Sequence, residues 1–168
     1  MNDEAQAAAV ETIHNAFDGM RRIALAGLSD ASGTEETIFG RFFDLSEGDD
    51  RTTEVIPVFR KIIPSENADG SPNGNGDVNA IFTKFIIDNK DFNEAAGLEP
   101  NCQVPGVQAY TDPMKSRTHF CLIGLEIVDA STLNCESDLD DFPSDKMDNT
   151  GRVALHEVMH YDQIGNAA

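Results

Sequence analysis

Apolar side chains recur every three or four residues at Val10, Ile13, Phe17, Met20 and Ala24. That spacing predicts a long first helix with one buried stripe, and Gly27, Ser29 and Asp30 are its expected stop. Ser32-Gly33-Thr34-Glu35 reads as a capping box opening a short helix, on which Ile38, Phe39, Phe42 and Phe43 share a face. Val58, Phe59, Ile62 and Ile63 signal a third helix, with Pro57 in its first turn, where a missing N–H is tolerated. Asn67 to Asn79 is polar and rich in Gly, Asn and Asp, the residues of turns. Beyond it the period changes. Residues 81–87, Gly106 to Tyr110 and Thr118 to Ile127 read as strands, and residues 137–148 as a solvated acidic loop. A last helix is expected from about Thr150 to at least Tyr161. Asn149 or Thr150 is its cap, and Val153, Leu155, Val158 and Met159 are its apolar positions. Helices, then a few strands, then a helix is an α+β order, and no repeat or linker divides residues 1–168 into more than one domain.

Charge narrows the partners. Twelve Lys and Arg stand against 30 Asp and Glu, a formal charge of −18. Such a surface repels nucleic acid and anionic membranes, keeps the chain soluble, and favours cationic partners. No apolar stretch approaches transmembrane length. The first ten residues carry neither a basic n-region nor a long apolar h-region, so no leader is read in them. Three cysteines, Cys102, Cys121 and Cys135, leave one odd. Cys121 and Cys135 are close enough in sequence to close a short loop, which predicts that they pair and that Cys102 is left over. The Asn67–Asn79 loop partly mimics a calcium loop from Asp69 to Asp77, but Ala80 stands where the bidentate glutamate belongs, which argues against calcium.

The chemistry concentrates at His156-Glu157-Val158-Met159-His160, an H-E-x-x-H run. On a helix, histidines four apart stand one turn apart on one face and reach a single zinc ion. The glutamate between them is placed to take a proton from water acidified by that zinc. A catalytic zinc needs three protein ligands, so a third must come from elsewhere. His14 lies within a helical apolar pattern and His119 within a strand-like run, and both read as ordinary surface or half-buried residues. Asp162, two residues past His160, would point about 200° away on a continuing helix. The expected third ligand therefore lies further downstream.

An alanine-rich first helix, Phe39-Gly40-Arg41-Phe42-Phe43, Ala109-Tyr110-Thr111, His119-Phe120-Cys121 and Leu155-His156-Glu157-Val158-Met159-His160 occur in that order. With them the chain resembles the deuterolysin-type, or aspzincin, zinc metalloendopeptidases of fungi and some bacteria. The resemblance implies a zincin-like fold in which a small sheet covers the active helix. It implies one zinc ion held by His156 and His160, with Glu157 as general base. It also implies a monomeric, secreted enzyme acting on protein or peptide substrates, binding neither nucleic acid nor membrane. The family's third ligand, an aspartate in a Gly-Thr-x-Asp segment, and its downstream tyrosine have no counterpart in these 168 residues. Two other readings remain open. One is a catalytically inactive secreted relative that acts as a binding protein. The other is an acidic interaction domain in which the motif arose by chance.

Overall fold

The computed structural model describes residues 3–31, 51–129, 132, 133, 137 and 144–165. Helix α1 (Asp3–Ala31) is the spine. Its buried positions Ala16, Met20, Ala24, Leu28 and Ala31 fall three or four apart, as the pattern requires. Two expectations about α1 are corrected. Gly27 does not end it. A Cβ at Gly27 would come within 2.9 Å of the Phe59 ring, so this glycine makes room for a neighbour inside the helix. The helix continues because Leu28 and Ala31 still have a core to enter. Val10 is 62% exposed rather than buried. The helix packed along α1 has only 10 residues, about 15 Å against about 44 Å for α1, so the first turns of α1 overhang it.

A π-helical turn (Arg51–Val55) leads into α2 (Ile56–Ile62), which carries Pro57 in its first turn and buries Val58, Ile62 and the following Ile63. The polar loop after it is braced from within: the Asp69 carboxylate accepts from both the N–H and the hydroxyl of Ser71. Only the end of the 81–87 run is a strand. Asn79 caps a 3₁₀ turn over Ala80–Lys84, and β1 is Ile86–Asp88. Helix α3 (Phe92–Ala95) follows, capped by Asp91. Strand β2 spans Ala109–Asp112, later than expected, and β3 spans Arg117–Phe120. Helix α4 (Leu122–Leu125) replaces the second half of the predicted third strand. The sheet order is β1-β3-β2, with β1 parallel and β2 antiparallel to β3.

Helix α5 (Thr150–Met159) carries the motif. Asn149 is its cap, accepting from the Arg152 N–H. α5 lies along α1 and also touches β2. The close approach has a specific cause: a Cβ on Gly151 would come 2.7 Å from the carbonyl carbon of Gly19 and 3.0 Å from its Cα. One core holds the parts together, drawn from α1, α2, Phe120, Val153, Ala154, Val158, Tyr161 and Ile164. The architecture among the described residues is α+β, with five α-helices and a three-stranded sheet. The capping box at 32–35 and the aromatic helix around Phe39 lie outside the described residues.

The cysteine pairing differs from the expectation. Cys102 bonds to Cys121, with Cα atoms 5.3 Å apart. Nearness along the chain was the wrong guide. Cys121 follows β3 directly and is buried, and the 3₁₀ turn Asn101–Gln103 is held beside it because Asp91 Oδ2 accepts from the Cys102 N–H. Cys135 lies outside the described residues. Among the described residues, no helix is long and apolar enough to cross a membrane.

Candidate metal centre

Arg152, His156 and His160 lie four apart and form the exposed face of α5, while Val153, Ala154, Glu157 and Val158 form its buried face. His156 Nε2 and His160 Nε2 are 3.2 Å apart, their ring planes nearly perpendicular. Two nitrogens on one tetrahedral zinc at 2.0–2.1 Å would stand about 3.3 Å apart, so the pair fits the ion. The same distance permits an N–H···N hydrogen bond between the rings, which a bound metal would displace.

The helix does not run to Tyr161 as expected. It ends at Met159, with His160 as its C-cap. The chain then folds back so that Tyr161 and Ile164, 1% and 0% exposed, enter the core, and both the Ile164 and Gly165 N–H groups return to the Tyr161 carbonyl. Asp162 sits exposed on that turn.

Glu157 is 4% exposed. Its Oε2 accepts a 2.7 Å hydrogen bond from Thr111 Oγ1 on β2. Thr111 Oγ1 lies 2.9 Å from Thr118 Oγ1, directly across the β2–β3 ladder, and Thr118 Oγ1 lies 2.7 Å from the Tyr161 hydroxyl. The Tyr161 ring stacks on Phe85, with centroids 3.9 Å apart and planes 12° apart. Burial raises the Tyr161 phenol above its usual range and the Glu157 charge adds to this, while the Thr118 hydrogen bond works the other way. The phenol therefore keeps its proton at neutral pH. Sequence reading passed over Thr111, Thr118 and Tyr161 as participants; Tyr161 directly after His160 was the one available signal.

His156, Glu157 and His160 bring ligand atoms within 4.8 Å of one another, and no further histidine, cysteine or carboxylate joins them among the described residues. His14 is an exposed helix residue paired with Asp18 at 3.7 Å. His119 is held elsewhere. Its Nδ1 lies 2.8 Å from the Asp88 carbonyl, which can only accept, so Nδ1 carries the hydrogen. His119 also forms a compact group with Cys102 and Cys121, but those two sulfurs are bonded to each other and are not available as ligands.

A cavity of about 170 Å³ opens beside the motif, between Gly106–Ala109 and the Arg152, Val153, His156 and Glu157 side of α5. Its rim is set by Arg152, which donates to Asp148 and to Gln108. A larger cavity, about 720 Å³, lies under the overhang of α1 and contains His14 and His119 but no motif residue. The smaller one is the space beside the motif, because His156 and Glu157 line it. Strand β2, which runs past Glu157, is an edge of the sheet among the described residues. No protein-family model matches the chain, and the searches of curated proteins and of solved structures found no significant match either.

Proposed function

We propose that this chain is a zinc-dependent metalloendopeptidase of the deuterolysin type, secreted, with a zincin-like arrangement of sheet over helix. The observation that carries the reading is the convergence of His156 Nε2 and His160 Nε2 at 3.2 Å above the nearly buried carboxylate of Glu157. The two imidazoles would supply two of the three protein ligands of one zinc ion, the third coming from outside the described residues. Bound there, zinc supplies a Lewis acid that polarises a scissile carbonyl and lowers the pKa of water. Glu157 takes the proton from that water and passes it to the departing amine. Strand β2, an edge of the sheet among the described residues, accepts an extended peptide by main-chain hydrogen bonds, and the 170 Å³ cavity receives one of its side chains. The net charge of −18 suits a cationic peptide substrate and disfavours nucleic acid and anionic membrane. The Cys102–Cys121 bond suits an oxidising compartment.

A second reading, a relative that keeps the motif but binds a partner without cleaving it, draws on one observation: no third ligand joins the group among the described residues. Metal content and activity separate the two. With a third ligand from outside the described residues, the peptidase reading expects one zinc per chain after dialysis and chelator-sensitive cleavage of a fluorogenic peptide. Loss of zinc on dialysis together with no cleavage would overturn the peptidase reading.

A further inference from the structure

We infer that Thr111, Thr118 and Tyr161 are positioning residues, forming a one-way hydroxyl relay that fixes the Glu157 carboxylate from the core side. The inference rests on the reading of Glu157 as the base. A base has no proton to give, so Glu157 Oε2 accepts, and the single hydroxyl hydrogen of Thr111 goes to it at 2.7 Å. Thr111 must then accept from Thr118, at 2.9 Å. The Thr118 hydrogen is now committed, so Thr118 accepts from Tyr161, at 2.7 Å. The direction of all three bonds follows from that one premise.

The far end does not move easily. Thr118 is 2% exposed and Tyr161 1%, and Phe85 lies flat against the tyrosine ring. Thr111 and Thr118 are cross-strand partners, so the ladder itself sets their separation. The relay thus carries the rigidity of the sheet and the core to one carboxylate oxygen. It leaves Oε1 as the oxygen that works on water. Tyr161, turned inward, belongs to this support and not to the open side of the site.

Valine keeps the shape of threonine and removes only the hydroxyl. In the zinc-loaded chain, Thr111→Val should lower kcat by roughly tenfold to a hundredfold, the cost of a misplaced catalytic group, with KM and zinc content unchanged. Tyr161→Phe should lower kcat in the same way by a smaller factor, and Thr111→Ser should restore most of the rate. A readout independent of activity comes from the metal-free chain. The hydroxyl protons of Thr111, Thr118 and Tyr161 should exchange slowly enough to be seen by NMR. Glu157→Ala, which removes the last acceptor, should shift all three, and Tyr161→Phe should remove its own signal and shift the other two. Failure to see protected hydroxyl signals, or an unchanged kcat in an active Thr111→Val, would overturn the relay. A wild-type chain that binds zinc yet cleaves nothing would overturn the peptidase reading alone, and the hydroxyl spectra would then decide the relay.

Discussion

Gly151 of α5 meets Gly19 of α1 backbone to backbone, with no space for a side chain on Gly151. This contact sets the height of the motif helix against the spine of the fold. Gly151→Ala would press a methyl group into the Gly19 backbone, which cannot swing aside as a side chain end can. The expected loss is about 1–3 kcal/mol, the usual cost of overpacking, despite alanine's better helix propensity. Denaturant unfolding measures it. A variant as stable as the parent would show that the two helices separate without cost.

Substitutions in the motif should divide by chemistry. His156→Ala removes one of two imidazole ligands and is expected to abolish stoichiometric zinc. Glu157→Gln keeps the size and the acceptor oxygen but not the basicity. It should retain zinc while losing about 10²- to 10⁴-fold in rate. Metal analysis alongside peptide cleavage checks both. Parallel loss of zinc in the two variants would mean that Glu157 is a ligand and not the base.

The disulfide gives a third expectation. Mass mapping of the unreduced protein should recover a Cys102–Cys121 linked pair. Closing a loop with 19 residues of separation contributes about 3 kcal/mol in the chain-entropy model, so Cys102→Ala should lower stability by that order. A Cys121–Cys135 peptide would refute the pairing.

Arg117 donates to the Asp88 carboxylate, and this bond holds the carboxyl below its ordinary value of 3.8 against the upward push of partial burial. The unfolded chain therefore takes up the proton first as pH falls. Stability from the pair is complete above the ordinary value and disappears as pH falls through the lower, folded one. Asp88→Asn is expected to cost about 0.5–1 kcal/mol near neutral pH, since both side chains are partly exposed. The gap between variant and parent should narrow below about pH 3.8. Unfolding curves at several pH values test this; a gap that widens in acid would contradict it.

Much of the helical framework was legible because a helix that buries one face writes its period into the sequence. Met20, Ala24, Val58, Ile62, Val153 and Val158 are all inside, as their spacing required. The Ile81–Ile87 run was not resolvable in the same way. A short apolar run carries no period, and the Asn79 side chain turns its first half into a 3₁₀ helix. The disulfide was missed because the loop from α3 to β2 folds back on the end of β3, and sequence distance does not report that. The histidine pair and Glu157 could be located from spacing alone. Thr111 and Thr118 could not, because their partnership exists only once β2 and β3 are paired in register.

The early end of α5 has an electrostatic consequence. Backbone carbonyls left without helical partners accumulate at a helix C-terminus and act there as roughly half a negative charge. His160 is the C-cap, so one of the two imidazoles stands at that pole. A cation held by the pair would sit beside the negative end of the helix dipole, worth about 0.3–1 kcal/mol at an exposed site. Had the helix continued through Tyr161, the pole would have moved past the histidines. The same turn that returns the chain to the core at Ile164 therefore brings the attractive end of the helix to the place where a metal would bind.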